Sequence, residues 1–220
     1  MPRESRKSPQ VVAHVAVSLE GATTGFQPDL GTFYELAGTF GEDVTLVGAD
    51  TILAQESTLA TAPRPGPAQG GPLLAVVDGK ARVSEWDALR EVGHWSDVLA
   101  LHCESTPPRP PERHVREVVM GRERVDLAAA IEELGRLAQA EHIRVDSGGA
   151  LLAALLRGHL LDEVSLLVHP VLVGGNDAKF WYGTRSGQAA VDFELIADES
   201  LGGGLVWLRY RPRNQATTGE

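Results

Sequence analysis

Short apolar runs recur along the chain and are separated by polar or glycine-rich turns. Most of these runs are nearly continuous, which predicts strands that are buried on both faces, as in the middle of a parallel sheet. The predicted strands are residues 11–18, 43–47, 73–78, 97–103, 115–120, 143–145 and 164–168. Because His14 lies inside the first run, we expect a core histidine with hydrogen-bonded nitrogens, and a ligand role is the alternative.

Apolar residues at helical spacing lie between several of these strands. They predict one helix at residues 29–40, a second at residues 127–141 after the cap residue Asp126, and a third that ends at Gly158. A repeated order of strand, helix and strand implies right-handed crossovers and a mostly parallel sheet.

The end of the chain has a different pattern. Residues 191–197 and 205–210 flank a glycine-rich loop and predict an antiparallel hairpin. The predicted fold class is therefore α/β, with a mostly parallel central sheet and an antiparallel C-terminal hairpin. We expect a single domain over residues 10–212, with a disordered lead-in at residues 1–9 and a disordered tail at residues 213–220.

Composition narrows the functional class. A formal net charge of −10 disfavours a nucleic-acid or anionic-membrane surface, because either surface needs clustered positive charge. The single cysteine, Cys103, excludes an internal disulfide and a multi-cysteine metal site. No apolar run is as long as a membrane span and no signal peptide is evident, so we expect a cytoplasmic protein with no metal.

The most informative stretch joins the strand at residues 143–145 to the helix that ends at Gly158. Ser147, Gly148 and Gly149 form the turn, and Ala150 and Leu151 begin the helix. Glycines let backbone N–H groups approach a ligand, and a helix N-terminus attracts anions, so this turn is a candidate phosphate site. The alternative is a tight strand-to-helix connection with no ligand.

Two other strands end in polar loops of the same kind. Ser18 and Glu20 follow the first strand, at the sheet edge where open α/β sheets bind ligands, and a solvated turn is the alternative. Gly48 and Thr51 follow the second strand, where Thr51 can cap a helix or bind a phosphate or ribose.

The strand at residues 73–78 ends in Asp78 and is followed by two cations, Lys80 and Arg82. In an acidic chain, two cations beside a strand end suit the 2′-phosphate of NADPH, which Lys80 can meet as a point charge and Arg82 as a bidentate donor. Solvated surface charge is the alternative.

These loops together resemble the riboflavin-biosynthesis reductase domain, which has the three-layer α/β/α fold of the dihydrofolate reductases. Ser18-Leu19-Glu20-Gly21 resembles its Ser-Leu-Asp-Gly motif, and Val47-Gly48-x-x-Thr51 its Val-Gly-x-x-Thr motif. Gly148-Gly149 matches its Glu-Gly-Gly turn, with Ser147 in place of glutamate. The resemblance spans residues 11–211 in the family's order, and the zinc motifs of the linked deaminase half are absent, which indicates a stand-alone reductase domain.

The resemblance implies several functional assignments. Ser18 and Glu20 are the expected catalytic residues, with Glu20 assisting protonation. The cofactor NADPH is expected to contact Gly48, Thr51, Asp78, Lys80, Arg82, Ser147, Gly148, Gly149, Ala150 and Leu151. A cis or otherwise unusual peptide is expected at the Gly148–Gly149 turn.

We therefore expect an NADPH-dependent reductase that transfers a hydride to a small heterocyclic or imine-type substrate, similar to the pyrimidine reductase of riboflavin biosynthesis. An NADPH-binding module without catalytic activity is the alternative. The resemblance, and the apolar residues Val164, Leu166, Val168, Val171 and Val173, which need cover, predict a homodimer.

Overall fold

A computed structural model describes residues 8–174, 178–183 and 190–213. The predicted disordered ends fall mostly outside these ranges. The chain divides into two compact units, a first unit of residues 1–10 and 42–143 and a second unit of residues 11–41 and 144–220. No helix in the described part of the chain is long and apolar enough to cross a membrane.

Nine strands and six α-helices occur among the described residues. The strands are β1 (Gln10–Val17), β2 (Val44–Gly48), β3 (Leu73–Val77), β4 (Asp97–His102), β5 (Arg116–Val119), β6 (His142–Val145), β7 (Glu163–Val168), β8 (Phe193–Ser200) and β9 (Val206–Pro212). The helices are α1 (Leu30–Gly38), α2 (Ala49–Leu53), α3 (Glu56–Leu59), α4 (Trp86–Glu91), α5 (Leu127–Leu137) and α6 (Gly149–Arg157).

The first unit is built on a parallel array of β2, β3, β4 and β5. Gly48 pairs with Val77, and Val77 pairs with Leu101, so β2, β3 and β4 end at nearly the same level. The loops that follow these strands are therefore neighbours. Helix α4 was not predicted from the sequence, yet its Trp86 and Leu89 are almost fully buried in the core of this unit.

The second unit combines parallel and antiparallel pairing. Strand β1 is parallel to β7, β7 is antiparallel to β9, and β9 is antiparallel to β8. The C-terminal hairpin is thus confirmed, and its loop contains a 3₁₀ turn at Gly202–Gly204. The mixed α/β fold, with a mostly parallel sheet and an antiparallel C-terminal hairpin, agrees with the sequence prediction.

Two sequence predictions need correction. Helix α5 ends at Leu137 rather than at residue 141, because Ala138 caps the helix and Gln139 adopts a left-handed φ of 53°. Val164 was expected to need cover from a second subunit, but its strand β7 lies between β1 and β9. Val164 is consequently buried within the chain and needs no external cover.

His14 is the centre of a buried polar network in the second unit. Its Nε2 lies 3.0 Å from the carbonyl oxygen of Phe33, and its Nδ1 lies 2.9 Å from the hydroxyl of Ser165. Because a carbonyl only accepts, Nε2 carries the proton and Nδ1 accepts from Ser165. The Ser165 oxygen accepts in turn from the indole N–H of Trp207 at 2.7 Å. Each group in this network has a partner when His14 is neutral, which confirms a core histidine.

The pKa of His14 is lowered from 6.5 to about 4, mainly by burial and in smaller part by the charge of Arg144, although the Phe33 hydrogen bond opposes the shift. Between pH 6.5 and about 4, the unfolded chain therefore binds a proton at His14 and the folded chain does not. We predict that stability is fully present above pH 6.5 and is lost as the pH falls toward 4, by about 3 kcal/mol. Urea unfolding across this range, for the wild type and for His14→Gln, measures the effect, and parallel curves for the two proteins would contradict it.

The homodimer remains a prediction. Because Val164 is buried within its own chain, the prediction now depends on fewer apolar residues. Leu166 and Val168 are half-buried, and Leu195 and Ile196 on β8 are 49% and 39% exposed. We expect sedimentation at micromolar concentration to show a species of twice the 23.5 kDa chain mass. A single species at the mass of one chain would rule the dimer out.

Candidate active site

The turn at Gly148 and Gly149 connects β6 to α6. Gly149 has a φ of 63°, which an L side chain rarely adopts, and no side chain caps the helix. No peptide among the described residues is cis, so a cis peptide at this turn is not observed. The unusual feature is the left-handed φ of Gly149.

Trp181 closes part of this turn. The carbonyl oxygen of Trp181 accepts the N–H of Gly149 at 2.9 Å, and a Cβ at Gly148 would lie 3.4 Å from the Trp181 Cα. Glycine at position 148 therefore allows a close backbone approach. A Cβ at Gly149, in contrast, would meet no atom within 4 Å, so the space above that residue is open.

Residues 178–183 also bond to the loop that follows β1. The N–H of Thr23 donates to the Lys179 carbonyl at 2.7 Å, and the N–H of Trp181 donates to the Gly21 carbonyl at 3.2 Å. We call residues 178–183 the strap. The strap brings the predicted Ser18 and Glu20 loop and the predicted Gly148–Gly149 turn into one region of the second unit.

Ser18 is almost fully buried at the end of β1. Its hydroxyl oxygen accepts the N–H of Ala22 at 3.0 Å, and its own N–H donates to the Ala22 carbonyl at 2.9 Å. Both bonds close the turn at residues 18–22. Ser18 therefore shapes the loop in addition to any contact with a ligand.

Glu20 ties this loop to the segment after β7. Its Oε1 accepts the N–H of Val173 at 2.6 Å and the N–H of Gly174 at 3.1 Å. A hydrogen bond from Ser18 and those backbone N–H groups lower the pKa of Glu20 from 4.5 to about 2. The carboxylate is therefore ionised at neutral pH, and the proton-assisting role expected of Glu20 stays a prediction.

His169 is a site residue that sequence reasoning missed. It is buried, and its Nε2 accepts the N–H of Asp29 at 2.9 Å, while its Nδ1 lies 3.2 Å from the Leu167 carbonyl oxygen. Asp29 is the N-cap of α1 and also accepts the N–H of Thr32. His169 thus anchors the far end of the loop between β1 and α1. The only sign of this role in the sequence is the His-Pro pair that follows a strand.

The second group of predicted residues lies in the first unit. Gly48 ends β2 next to the end of β3, and Thr51 lies in α2 directly after it. The guanidinium of Arg82 lies 2.7 Å from the carboxylate of Asp50, and Asp50 is in the same helix as Thr51. The predicted Gly48–Thr51 and Asp78–Arg82 elements are therefore brought together, as expected for loops at adjacent strand ends.

Asp78 has an internal role in this group. Its carboxylate is buried and accepts the N–H of Arg82 at 2.9 Å and the N–H of Val83 at 3.1 Å. The side chains of Lys80 and Arg82 are exposed on the same turn. Asp78 therefore shapes the turn that presents the two cations, and its carboxylate is not open to a ligand.

Sequence reasoning also missed Arg109. Arg109 lies in the proline-rich loop at residues 104–113, yet its side chain is only 4% exposed and lies 3.0 Å from the Asp78 carboxylate. A charged residue flanked by prolines gives no local sign that it is buried.

Comparison with known proteins gives these loops a context. Residues 37–207 match the family model described as the RibD C-terminal domain. The chain belongs to this family. The match confirms the resemblance to the riboflavin-biosynthesis reductase domain that the loop motifs suggested.

Two relatives support the assignment. A 2,5-diamino-6-ribosylamino-4(3H)-pyrimidinone 5′-phosphate reductase of Methanothermobacter thermautotrophicus is 32% identical, over 90% of this chain and 96% of that protein. A reductase of the same name from Archaeoglobus fulgidus is 28% identical, over 77% of this chain and 84% of its own.

Solved structures of RibD-type proteins share the fold. The riboflavin biosynthesis reductase of Saccharomyces cerevisiae has a TM-score of 0.70 at 19% identity, covering 96% of this chain and 93% of that one. A pyrimidine reductase-like protein of Corynebacterium diphtheriae has a TM-score of 0.69 at 17% identity, covering 94% and 92%. These neighbours agree with the predicted dihydrofolate-reductase-like fold.

The ionisation of Glu20 is open to direct measurement. We predict that its side-chain carboxyl titrates near pH 2, because Ser18 and backbone N–H groups stabilise the charged form. Its contribution to stability is then present above pH 4.5 and is lost as the pH falls through about 2. Carboxyl carbon NMR shifts followed against pH, with the signal assigned by Glu20→Gln, test this, and a midpoint at or above pH 4.5 would refute it.

Proposed function

We propose that this chain is an NADPH-dependent reductase of riboflavin biosynthesis that transfers a hydride to a phosphorylated ribosylaminopyrimidine. The observation that carries the proposal is the match to the Methanothermobacter reductase, which extends over 90% of this chain and 96% of that protein. Similarity over nearly the whole of both chains favours a shared reaction more than similarity confined to one motif does.

The Gly148–Gly149 turn fits a cofactor pyrophosphate. The turn is open above Gly149, and α6 begins with no side-chain cap, so an anion there gains hydrogen bonds and the attraction of the helix dipole. Trp181 already accepts the N–H of Gly149. We therefore assign the phosphate to the backbone N–H groups of Ala150 and Leu151 in the first helical turn.

The turn at residues 78–83 fits the 2′-phosphate. Lys80 and Arg82 are exposed, and they follow a parallel strand whose end is level with that of its neighbour. One carboxylate opposes this role, because Asp50 is 73% exposed and pairs with Arg82. A 2′-phosphate has to compete with Asp50 for that guanidinium.

NADPH, when bound, supplies the hydride for reduction of an imine-type carbon. This chain's contribution is to bind, orient and shield the reactants, and the strap and the Ser18–Ala22 turn are the elements we assign to it. The reduction also consumes one proton. Because the Glu20 carboxylate is ionised at neutral pH, we assign the proton itself to water or to a substrate group, with Glu20 as the residue that assists its transfer.

The decisive experiment measures NADPH consumption with the substrate named for the relatives, alongside a panel of pteridine, pyrimidine and imine compounds. We expect turnover with the phosphorylated pyrimidine and weaker turnover with its dephosphorylated form. Tight NADPH binding, measured by calorimetry, without turnover of any compound would favour a binding module that has lost its chemistry. Absence of NADPH binding would refute the proposal.

The preference for NADPH gives a sharper prediction. A charge-assisted contact contributes about 1.5–3 kcal/mol, and two exposed contacts, reduced by solvent screening, should favour NADPH over NADH by roughly ten- to a hundredfold. We predict that Lys80→Ala combined with Arg82→Ala weakens NADPH binding by this factor and NADH binding little. The difference should shrink as salt rises.

Asp50→Asn serves as the matched control. Removing that carboxylate releases Arg82 from its ion pair, so NADPH should bind more tightly and NADH should be unaffected. Equal loss of both cofactors in the Lys80 and Arg82 variant would show that these residues support the fold and do not bind the phosphate.

A further inference from the structure

The turn that carries Lys80 and Arg82 depends on one buried carboxylate. Asp78 accepts the N–H groups of Arg82 and Val83, and Ala81 between them adopts a left-handed φ of 51°. A non-glycine residue persists in that conformation only when its surroundings enforce it. The two bonds to the Asp78 carboxylate restrain this turn, together with the bond from the Ala81 N–H to the Asp78 carbonyl oxygen at 3.1 Å.

Arg109 compensates the charge of that carboxylate. One guanidinium nitrogen lies 3.0 Å from the Asp78 carboxylate and 3.3 Å from the Asp78 carbonyl oxygen. The other contacts Glu117, and the guanidinium lies over the ring of Trp86 at 5.5 Å from its centroid. Two guanidinium nitrogens thus reach Asp78 and Glu117 at the same time while the group lies over Trp86, a combination that a lysine cannot reproduce.

The proline-rich loop makes a second contact with the same turn. The hydroxyl of Thr106 donates to the carbonyl oxygen of Gly79 at 3.0 Å. Asp78 and Gly79, at the start of the turn, are therefore both held by residues that lie 27 to 31 positions further along the chain.

If Arg109 is removed, Asp78 keeps a buried charge with no cation beside it, which is strongly unfavourable. The carboxylate is then expected to move toward water, and the turn loses its restraint.

We propose that Arg109 is a positioning residue for the 2′-phosphate of NADPH. It acts through Asp78, which fixes the backbone of residues 78–83 and so the placement of Lys80 and Arg82. The Arg109 side chain is only 4% exposed and does not touch the phosphate itself. This inference rests on the proposed function and goes beyond it, because it assigns cofactor selectivity to a residue outside the turn.

The test compares the dissociation constants of NADPH and NADH by calorimetry in Arg109→Lys and Arg109→Met. We expect NADPH to bind about tenfold more weakly in both variants and NADH to change by less than about twofold. Arg122→Met is the matched control, because the Arg122 side chain is 88% exposed on a neighbouring loop. It should leave both constants unchanged. If Arg109→Met does not fold, the milder Arg109→Lys still reports the ratio.

A double-mutant cycle separates positioning from plain support of the fold. Arg109→Lys is introduced into the variant that lacks Lys80 and Arg82, and the ratio of the two dissociation constants is measured again. If Arg109 acts through those cations, it has no further effect on the ratio in that background. Additive effects, or equal weakening of NADPH and NADH by Arg109→Lys alone, would overturn the inference. A wild-type protein that does not prefer NADPH would instead overturn the cofactor assignment on which the inference rests.

Discussion

Backbone N–H groups at the ends of strands and at the starts of helices need hydrogen-bond acceptors. In this chain, carboxylate side chains are the acceptors at several loops between strands and helices. Glu20 accepts from residues 173 and 174, and Asp78 accepts from residues 82 and 83. Asp43 accepts from residues 141 and 142 in the same way. An ionised carboxylate can hold two N–H groups at once, so one short side chain fixes a whole turn. The polar ends of the strands are ordered by this interaction before any ligand binds.

This use of carboxylates separates two roles that look alike in a sequence. Hydrogen-bond donors to a carboxylate lower its pKa and so make it a weaker proton donor at neutral pH. Glu20 lies in the expected loop, but its donors keep it ionised down to about pH 2. Asp78 likewise lies at the expected strand end, but its oxygens are turned toward the protein's own backbone and toward Arg109. Both residues hold the loops of the candidate site in place.

Much of the fold could be predicted from the sequence because the signals are local. Continuous apolar runs indicated the buried strands, and Asp29 and Asp126 cap α1 and α5 as short-range rules require. Helix α4 was missed because six residues give too few turns for a periodic pattern. The Trp181 bond to Gly149 and the Arg109 bond to Asp78 were missed because each joins residues about thirty positions apart. Such contacts depend on tertiary structure, which single motifs do not encode.

The sequence around Arg109 also affects the entropy of folding. Four prolines flank it, at positions 107, 108, 110 and 111. Each proline fixes its own φ and keeps the residue before it extended, so the unfolded loop samples few conformations. Less conformational freedom is then lost when Arg109 is fixed in the protein interior. A flexible loop of glycine and serine could present the same guanidinium, but it would lose more entropy each time the ion pair formed.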